Sequence, residues 1–211
     1  LGSGGFGTVY LAKQHEPVER DVALKVLHAN RCTEKFIRGF EEERQILAEM
    51  NHPGIAHFYD AGFTQFNQPY FVMEYVDGDP ITEYCDNKKL TIAQRLKLFA
   101  EVCKAVQHAH SKQVIHRDLT PNNILVSDDD EGNPRAKIID FGISKSGDDS
   151  TEDVAGTLQY MSPEQATRGK RADAKSDIFT LGVVLYELLV GRPPLDAEMF
   201  QKVALHAQFK L

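Results

Sequence analysis

His116-Arg117-Asp118-Leu119-Thr120-Pro121-Asn122-Asn123 is the stretch on which the reading of this chain turns. It stands between a long helical pattern and a pair of short apolar runs. Ahead of it, Thr91 and Gln94 form a capping box, and Ile92, Leu96, Phe99, Val102, Val106 and Ala109 recur at a period of 3.6, which predicts one long core helix. Behind it, Ile124 to Ser127 and Ala136 to Phe141 flank Asp128-Asp129-Asp130-Glu131-Gly132-Asn133-Pro134, the pattern of a hairpin with an acidic, solvated turn. The antiparallel strands of such a hairpin bring their outer ends together. Asn123 stands just before the first strand and Asp140 at the end of the second, so an amide oxygen and a carboxylate converge where oxygen ligands could hold Mg²⁺. Asp118 then sits at the mouth of the same site. Taken singly, each of these is an ordinary loop or turn residue; together they need a common cause.

Working outward toward the start, Gly2-Ser3-Gly4-Gly5-Phe6-Gly7 is a G-x-G-x-x-G run. Glycines are needed where backbone N–H groups approach phosphate oxygens with no Cβ in the way. A dinucleotide fingerprint would need a strand before this run and a helix after it; here the strand-like Thr8-Val9-Tyr10-Leu11 follows instead. Thr8 to Lys13 and Asp21 to Leu27 read as a hairpin, and Lys25 ends the apolar run Val22-Ala23-Leu24, a cation at the edge of a buried strand. From Thr33 to Met50, Phe36, Phe40, Leu47 and Met50 recur at helical spacing until His52-Pro53-Gly54 ends the pattern. At 100° per residue Glu43 falls inside that apolar arc. A carboxylate there needs a partner, and Lys25 is the candidate, whether for function or as a structural ion pair. Tyr70 to Val76 reads as a buried strand, and Asp77-Gly78-Asp79-Pro80 as a break, so a linker between two lobes is placed at Glu74 to Pro80.

Toward the end of the chain, Ile178 to Val190 is apolar nearly all round and predicts a buried helix closed by Gly191 and Pro193-Pro194. At 13 residues with Thr180 and Glu187 inside it, it is too short to span a bilayer. The net charge of −7 and the scattered Lys and Arg argue against a nucleic-acid partner, so an anionic ligand must be held by local features. Cys32, Cys85 and Cys103 are odd in number, with no C-x-x-C pairing, which supports neither a disulfide framework nor a zinc knuckle and fits a reducing cytoplasm. His108, His110 and His116 are expected in structural roles rather than as a metal cluster. The acidic run at 128–131 lacks the spaced ligands of a calcium loop.

With these residues in view, the chain resembles a eukaryotic-type protein kinase catalytic domain of the serine/threonine class, in its wording close to the bacterial members. Gly2 to Val9 resembles the glycine-rich loop, Val22-Ala23-Leu24-Lys25 the strand lysine, Glu43 its helix partner, and His116 to Asn123 the catalytic loop. Asp140-Phe141-Gly142 and Ser162-Pro163-Glu164 then bracket an activation segment. The resemblance spans essentially the whole chain, in order. It implies an α+β, two-lobed fold: a small antiparallel-sheet lobe with one helix over 1–73, a hinge over 74–80 and a larger, mainly helical lobe over 81–211. It further implies that the chain is truncated at both ends, because the glutamate matching Glu164 pairs in the family with an arginine in a later helix and no residue here clearly fills that place.

By the same resemblance the function is transfer of the γ-phosphate of Mg·ATP, with Mn²⁺ as a substitute metal, to protein Ser/Thr hydroxyls. Lys25 meets the α- and β-phosphates, Asn123 and Asp140 hold the metal ions, and Asp118 accepts or orients the proton of the attacking hydroxyl. The nucleotide lies against Leu1, Gly2, Ser3, Gly4, Gly5, Phe6, Gly7, Val9, Ala23, Lys25, Glu74 and Val76. The partners implied are ATP and protein substrates, in the cytoplasm or on the cytoplasmic part of a longer, membrane-anchored protein, with no membrane segment in this chain. Gly156-Thr157 ahead of Tyr160-Met161-Ser162-Pro163-Glu164 resembles the substrate-binding loop of serine/threonine kinases. One departure stands out: Thr120 occupies the place where most of these enzymes carry a lysine. The rival reading is a pseudokinase, a scaffold that keeps the fold without the reaction. It would usually have lost one of Lys25, Glu43, Asp118, Asn123 or Asp140, and all are present. Ser144 to Thr157 carries several hydroxyl residues among acidic ones, and autophosphorylation is expected at Ser150 or Thr151.

Overall fold

The computed structural model describes residues 1–4, 7–28, 44–45, 47–141, 158–165 and 172–195. Two antiparallel sheets and three α-helices organise them. The first sheet has the order β1-β2-β3-β5-β4, from β1 (Gly2–Gly4), β2 (Gly7–Gln14), β3 (Arg20–Leu27), β4 (Phe58–Phe63) and β5 (Pro69–Glu74). The second, β6 (Asp79–Pro80), β7 (Ile124–Asp128) and β8 (Pro134–Ile138), runs in chain order. The helices are α1 (Ile81–Asn87), α2 (Ile92–Ser111) and α3 (Ala174–Val190). This is the two-lobed α+β architecture the sequence predicts.

Local chemistry accounts for most of these elements. Val9 faces Lys25 across β2–β3, and Lys25 faces Phe71 across β3–β5, so period-two alternation puts Val9, Lys25 and Phe71 on one face. Both expected hairpins form. The second ends its return strand at Ile138 rather than Phe141, and Asp140 follows at φ 62°. Its turn is held by Asp129, whose Oδ1 accepts from the Glu131 and Asn133 N–H groups; the acidic run is a solvated turn. Of the helix expected over Thr33–Met50, the described residues Arg44, Gln45, Leu47 and Ala48 are helical, and Leu47 and Met50 are buried; Glu43 lies outside the described residues. Asp79 and Pro80, expected within the linker, form β6 against β7. The linker is therefore tied to the second sheet at its far end.

The helices depart from their expected faces in an instructive way. The Thr91–Gln94 capping box is present, but Ile92 and Leu96 are 64% and 43% exposed. The inward face of α2 keeps the expected Val102, Val106 and Ala109, with Phe99 packed against the core, and adds Leu98 and Ala105; at its start stands Arg95. Arg95 donates to the Leu90, Leu188 and Cys85 carbonyls at 3.1, 3.1 and 3.2 Å, joining α1, α2 and α3. An apolar periodicity cannot report a face that opens on a guanidinium. Helix α3 starts four residues earlier than its apolar run, at an Asp173 N-cap with a Ser176 capping box. Gly191 ends it at φ 82°, a left-handed conformation that costs glycine nothing. It is not buried all round among the described residues: Ile178 and Val190 are exposed, while Ser176, Asp177 and Thr180 are buried. Those three polar side chains face inward because they bond the backbone and side chains of other segments.

The loop between α2 and β7 hangs on two buried polar groups. Asp177, 1% exposed, accepts from the backbone N–H groups of His116 and Arg117, each at 2.8 Å, and contacts the His110 ring nitrogen at 2.7 Å. His116, also 1% exposed, lies 3.0 Å from the Ile139 carbonyl through Nε2 and accepts the Asp118 N–H at Nδ1, 3.3 Å away. A backbone N–H can only donate and a carbonyl only accept, so the ring is the neutral Nε2–H tautomer. Burial pushes its pKa below the ordinary 6.5 even though Asp177 pulls the other way. His108 stacks on His52 with centroids 5.1 Å apart, and no group of three metal-ligating side chains occurs among the described residues.

Two outcomes follow. Arg95→Lys should cost about 2 kcal/mol of unfolding free energy, because an ammonium cannot reach three carbonyls at once; a urea midpoint equal to wild type would show that these bonds carry nothing. For His116 the unfolded chain binds a proton more readily than the folded one. The stability held above pH 6.5 is therefore lost as pH falls through 6.5 toward the depressed folded value. The urea midpoint should drop between pH 7 and about 5.5, with a shallower drop in His116→Gln; identical slopes would refute the assignment.

Candidate active site

Between the two sheets lies a cleft of about 670 Å³. Its roof is Gly2, Ser3, Gly4, Gly7, Val9, Ala23 and Lys25; its back is Met73, Glu74, Tyr75, Val76, Asp77 and Gly78; its floor includes Asp118, Thr120, Asn123, Leu125 and Asp140. With Leu1 at the rim, every residue that the sequence assigned to nucleotide, metal or proton transfer lines it, apart from Gly5, Phe6 and Glu43, which lie outside the described residues. So do Gly142, Gly156 and Thr157 and the phosphorylation candidates Ser150 and Thr151. Sequence reasoning missed Met73, Tyr75, Asp77, Leu125 and Ile139 as lining residues, since apolar or linker positions carry no chemical signature. Gly7 is required by close approach: a Cβ there would stand 2.4 Å from the Val26 carbonyl oxygen.

Lys25 is 7% exposed, and its Nζ sits 2.7 Å from Asp140 Oδ1. The expected partner Glu43 is not among the described residues, so the described partner of Lys25 is this carboxylate. Burying both charges is costly unless the site gains something from them. Asp140 is held in the left-handed region, which costs a non-glycine residue about 1–2 kcal/mol. What holds it there is the hairpin: the Ile139 N–H donates to the Asn123 carbonyl at 2.9 Å, bringing residues 123 and 139–140 side by side as the strand register predicts. The Asn123 amide nitrogen donates to the Asp118 carbonyl at 2.7 Å, which leaves its amide oxygen for a cation. One amide oxygen and one carboxylate beside an open cleft fit a hard divalent ion completed by phosphate oxygens and water.

Glu74 closes the back of the cleft. One of its carboxylate oxygens ion-pairs with Lys137 of β8, and the other accepts the His57 N–H at 3.0 Å. Its side chain is thus engaged by protein partners. Facing Asp118 from the other direction is the segment 158–165, which docks on α3. Tyr160 donates to Glu187 at 2.7 Å, Thr180 donates to the Tyr160 carbonyl at 2.9 Å, and Ser176 donates to Glu164 at 2.6 Å. Burial, together with the bond to Glu187, pushes the Tyr160 phenol well above its ordinary pKa. Asp177 and Gln165, whose bonds shape the loop around Asp118, were not singled out from sequence; a carboxylate in the first turn of an apolar helix was the available signal for Asp177.

The chain matches the protein kinase domain family over residues 1–210. It is 41% identical over 211 residues to the serine/threonine-protein kinase PrkC of Bacillus subtilis, across 97% of this chain and 32% of that protein. It is likewise 41% identical over 214 residues to the serine/threonine-protein kinase PknB of Mycobacterium leprae, across 97% of this chain and 33% of that protein. The chain thus spans about one third of the length of these relatives. Among solved structures, the kinase domain of Mycobacterium tuberculosis PknI superposes with a TM-score of 0.72 at 30% identity, covering 93% of this chain and 74% of that one. With a lysine–aspartate pair, a metal-competent hairpin mouth and a glycine-rich roof around one cleft, and with this match along nearly its whole length, the chain belongs to the protein kinase family.

Proposed function

We propose that this chain transfers the γ-phosphate of ATP to serine or threonine hydroxyls of protein substrates. The observation that carries the reading is the convergence of Lys25, Asp118, Asn123 and Asp140 on one cleft roofed by the glycine-rich β1–β2 strands. ATP is the phosphoryl donor, and a divalent ion, Mg²⁺ or Mn²⁺, would offset charge on its oxygens when bound at Asn123 and Asp140. Lys25 binds the α- and β-phosphates, trading part of its bond to Asp140 for them. Asn123 and Asp140 hold the metal, and Asp118 orients the attacking hydroxyl and takes its proton. Gly2, Ser3, Gly4, Gly5, Phe6 and Gly7 cover the phosphates, while Val9, Ala23 and the main chain at Glu74 and Val76 enclose the base. Glu43 supports Lys25.

The lobes are read as 1–73 and 81–211 about a hinge at 74–80. A cytoplasmic setting fits this chemistry, which needs cellular ATP; among the described residues no helix is long and apolar enough to cross a membrane. With a net charge of −7, nucleic acid is not expected as a partner. Thr120, 9% exposed, stands where most of these enzymes carry a lysine, and the missing cation bears on the rate more than on the reaction class.

In a transfer assay with a generic protein substrate, Asp118→Asn should lower the turnover by roughly 10²–10⁴-fold and Lys25→Met by at least about 10²-fold. Phosphoamino-acid analysis should return phosphoserine or phosphothreonine. ATP binding by wild type without any transfer would favour the scaffold reading instead.

A further inference from the structure

Gln165 does not line the cleft, yet it touches the backbone that carries Asp118. Its two amide ends have different partners. Oε1 accepts the Ser162 N–H at 3.1 Å, and Nε2 donates to the Arg117 carbonyl at 2.7 Å. The Arg117 carbonyl and the Asp118 N–H belong to one planar peptide unit, so Gln165 grips one side of it while His116 Nδ1 holds the other. Beyond that unit, the Asp118 carbonyl is held by Asn123. On its near side, Arg117 is in the left-handed region at φ 66°, a conformation that persists only where neighbours enforce it. Asp177 fixes its N–H and Gln165 fixes its carbonyl.

We infer that Gln165 is a positioning residue that couples the docked segment 158–165 to Asp118, so that the carboxylate is aimed at the incoming hydroxyl only while that segment lies on α3. The inference rests on the kinase reading above. Because Ser162 is buried and Tyr160, Glu164 and Thr180 clamp the segment to α3, the amide of Gln165 cannot reach Arg117 from an undocked segment without breaking those bonds. When it is withdrawn, the bond from Gln165 to the Arg117 carbonyl is lost, and the peptide unit, still held by His116 at the Asp118 N–H, is less restrained against tilting, which shifts the Asp118 side chain. Transfer rates are sensitive to misplacement on that scale.

The test uses the full chain with two near-isosteric variants. Gln165→Glu keeps an oxygen for the Ser162 N–H and puts a carboxylate oxygen in place of the donor to Arg117, while Gln165→Met removes both bonds without adding charge, at similar volume. Both should lower kcat by about tenfold or more. Affinity for a fluorescent ATP analogue should stay within about twofold, and the melting temperature should stay close to wild type. In an Asp118→Asn background the Glu variant should cause no further loss, since a residue acting through Asp118 has nothing left to act on. A Gln165→Glu variant with wild-type kcat overturns the proposal, as does an equal fractional loss in the Asp118→Asn background. A wild-type chain that binds nucleotide but transfers nothing sinks the kinase reading, and this inference with it.

Discussion

One carboxylate, on Asp177, fixes the geometry on which the rest of the site depends. A buried charge is tolerable when donors surround it. Asp177 has two backbone N–H groups and a histidine ring nitrogen, and it lies in the first turn of α3, where the helix dipole favours an anion. The bonds run from a rigid helix to consecutive residues of an otherwise irregular loop. Residues 116 and 117 are thereby fixed in space. At the other end of the loop, the Asn123 carbonyl is fixed by the Ile139 N–H, so the residues between them have few ways to run. Asp118 is positioned by restriction of its neighbours at least as much as by bonds of its own.

The electrostatics of the cleft follow from the same economy. Its described lining includes Lys25 against Glu74, Asp77, Asp118 and Asp140, and Glu74 is already matched by Lys137. A cleft of this sign repels a bare polyphosphate and accepts one accompanied by cations. That resolves the apparent conflict between an acidic chain and a polyanionic ligand. On the proposed reading, selectivity for a metal-bound nucleotide comes from the fixed carboxylates, with little need for a basic surface.

How much of this was legible in the sequence depended on whether the signal was local. The β2–β3 and β7–β8 hairpins, the Thr91–Gln94 cap and the Gly191 stop are written in adjacent residues, and all are found. So is the meeting of Asn123 with residues 139–140, because strand register is geometric. Strand β4 was missed: Phe58-Tyr59-Asp60-Ala61-Gly62-Phe63 has no clean alternation, and its register against β5 shifts between Phe58 and Asp60. Helix α1 is too short to show a period. Only the start of the inward face of α2, at Ile92 and Leu96, was misread, because Arg95 holds an inward position through its bonds. Asp177 and Gln165 act on backbone groups distant in the chain, and no local pattern announces such a bond.

The parallel bridge between Ile55 and Ile138 bears on modularity. Ala56 N–H donates to the Ile138 carbonyl, and Ile138 N–H to the Gly54 carbonyl, each at 2.9 Å, so the polypeptide entering β4 is stitched to the edge of β8. Residues 54–56 belong by sequence to the small lobe and by hydrogen bonding to the large one. Cutting the chain at the crossing near residue 76 would therefore not release two self-sufficient pieces. Each fragment would expose unpaired main-chain groups along a sheet edge, the condition under which separated fragments aggregate. A graft or exchange of either part that is to keep these bonds has to carry the segment at 54–56 together with its partner strand.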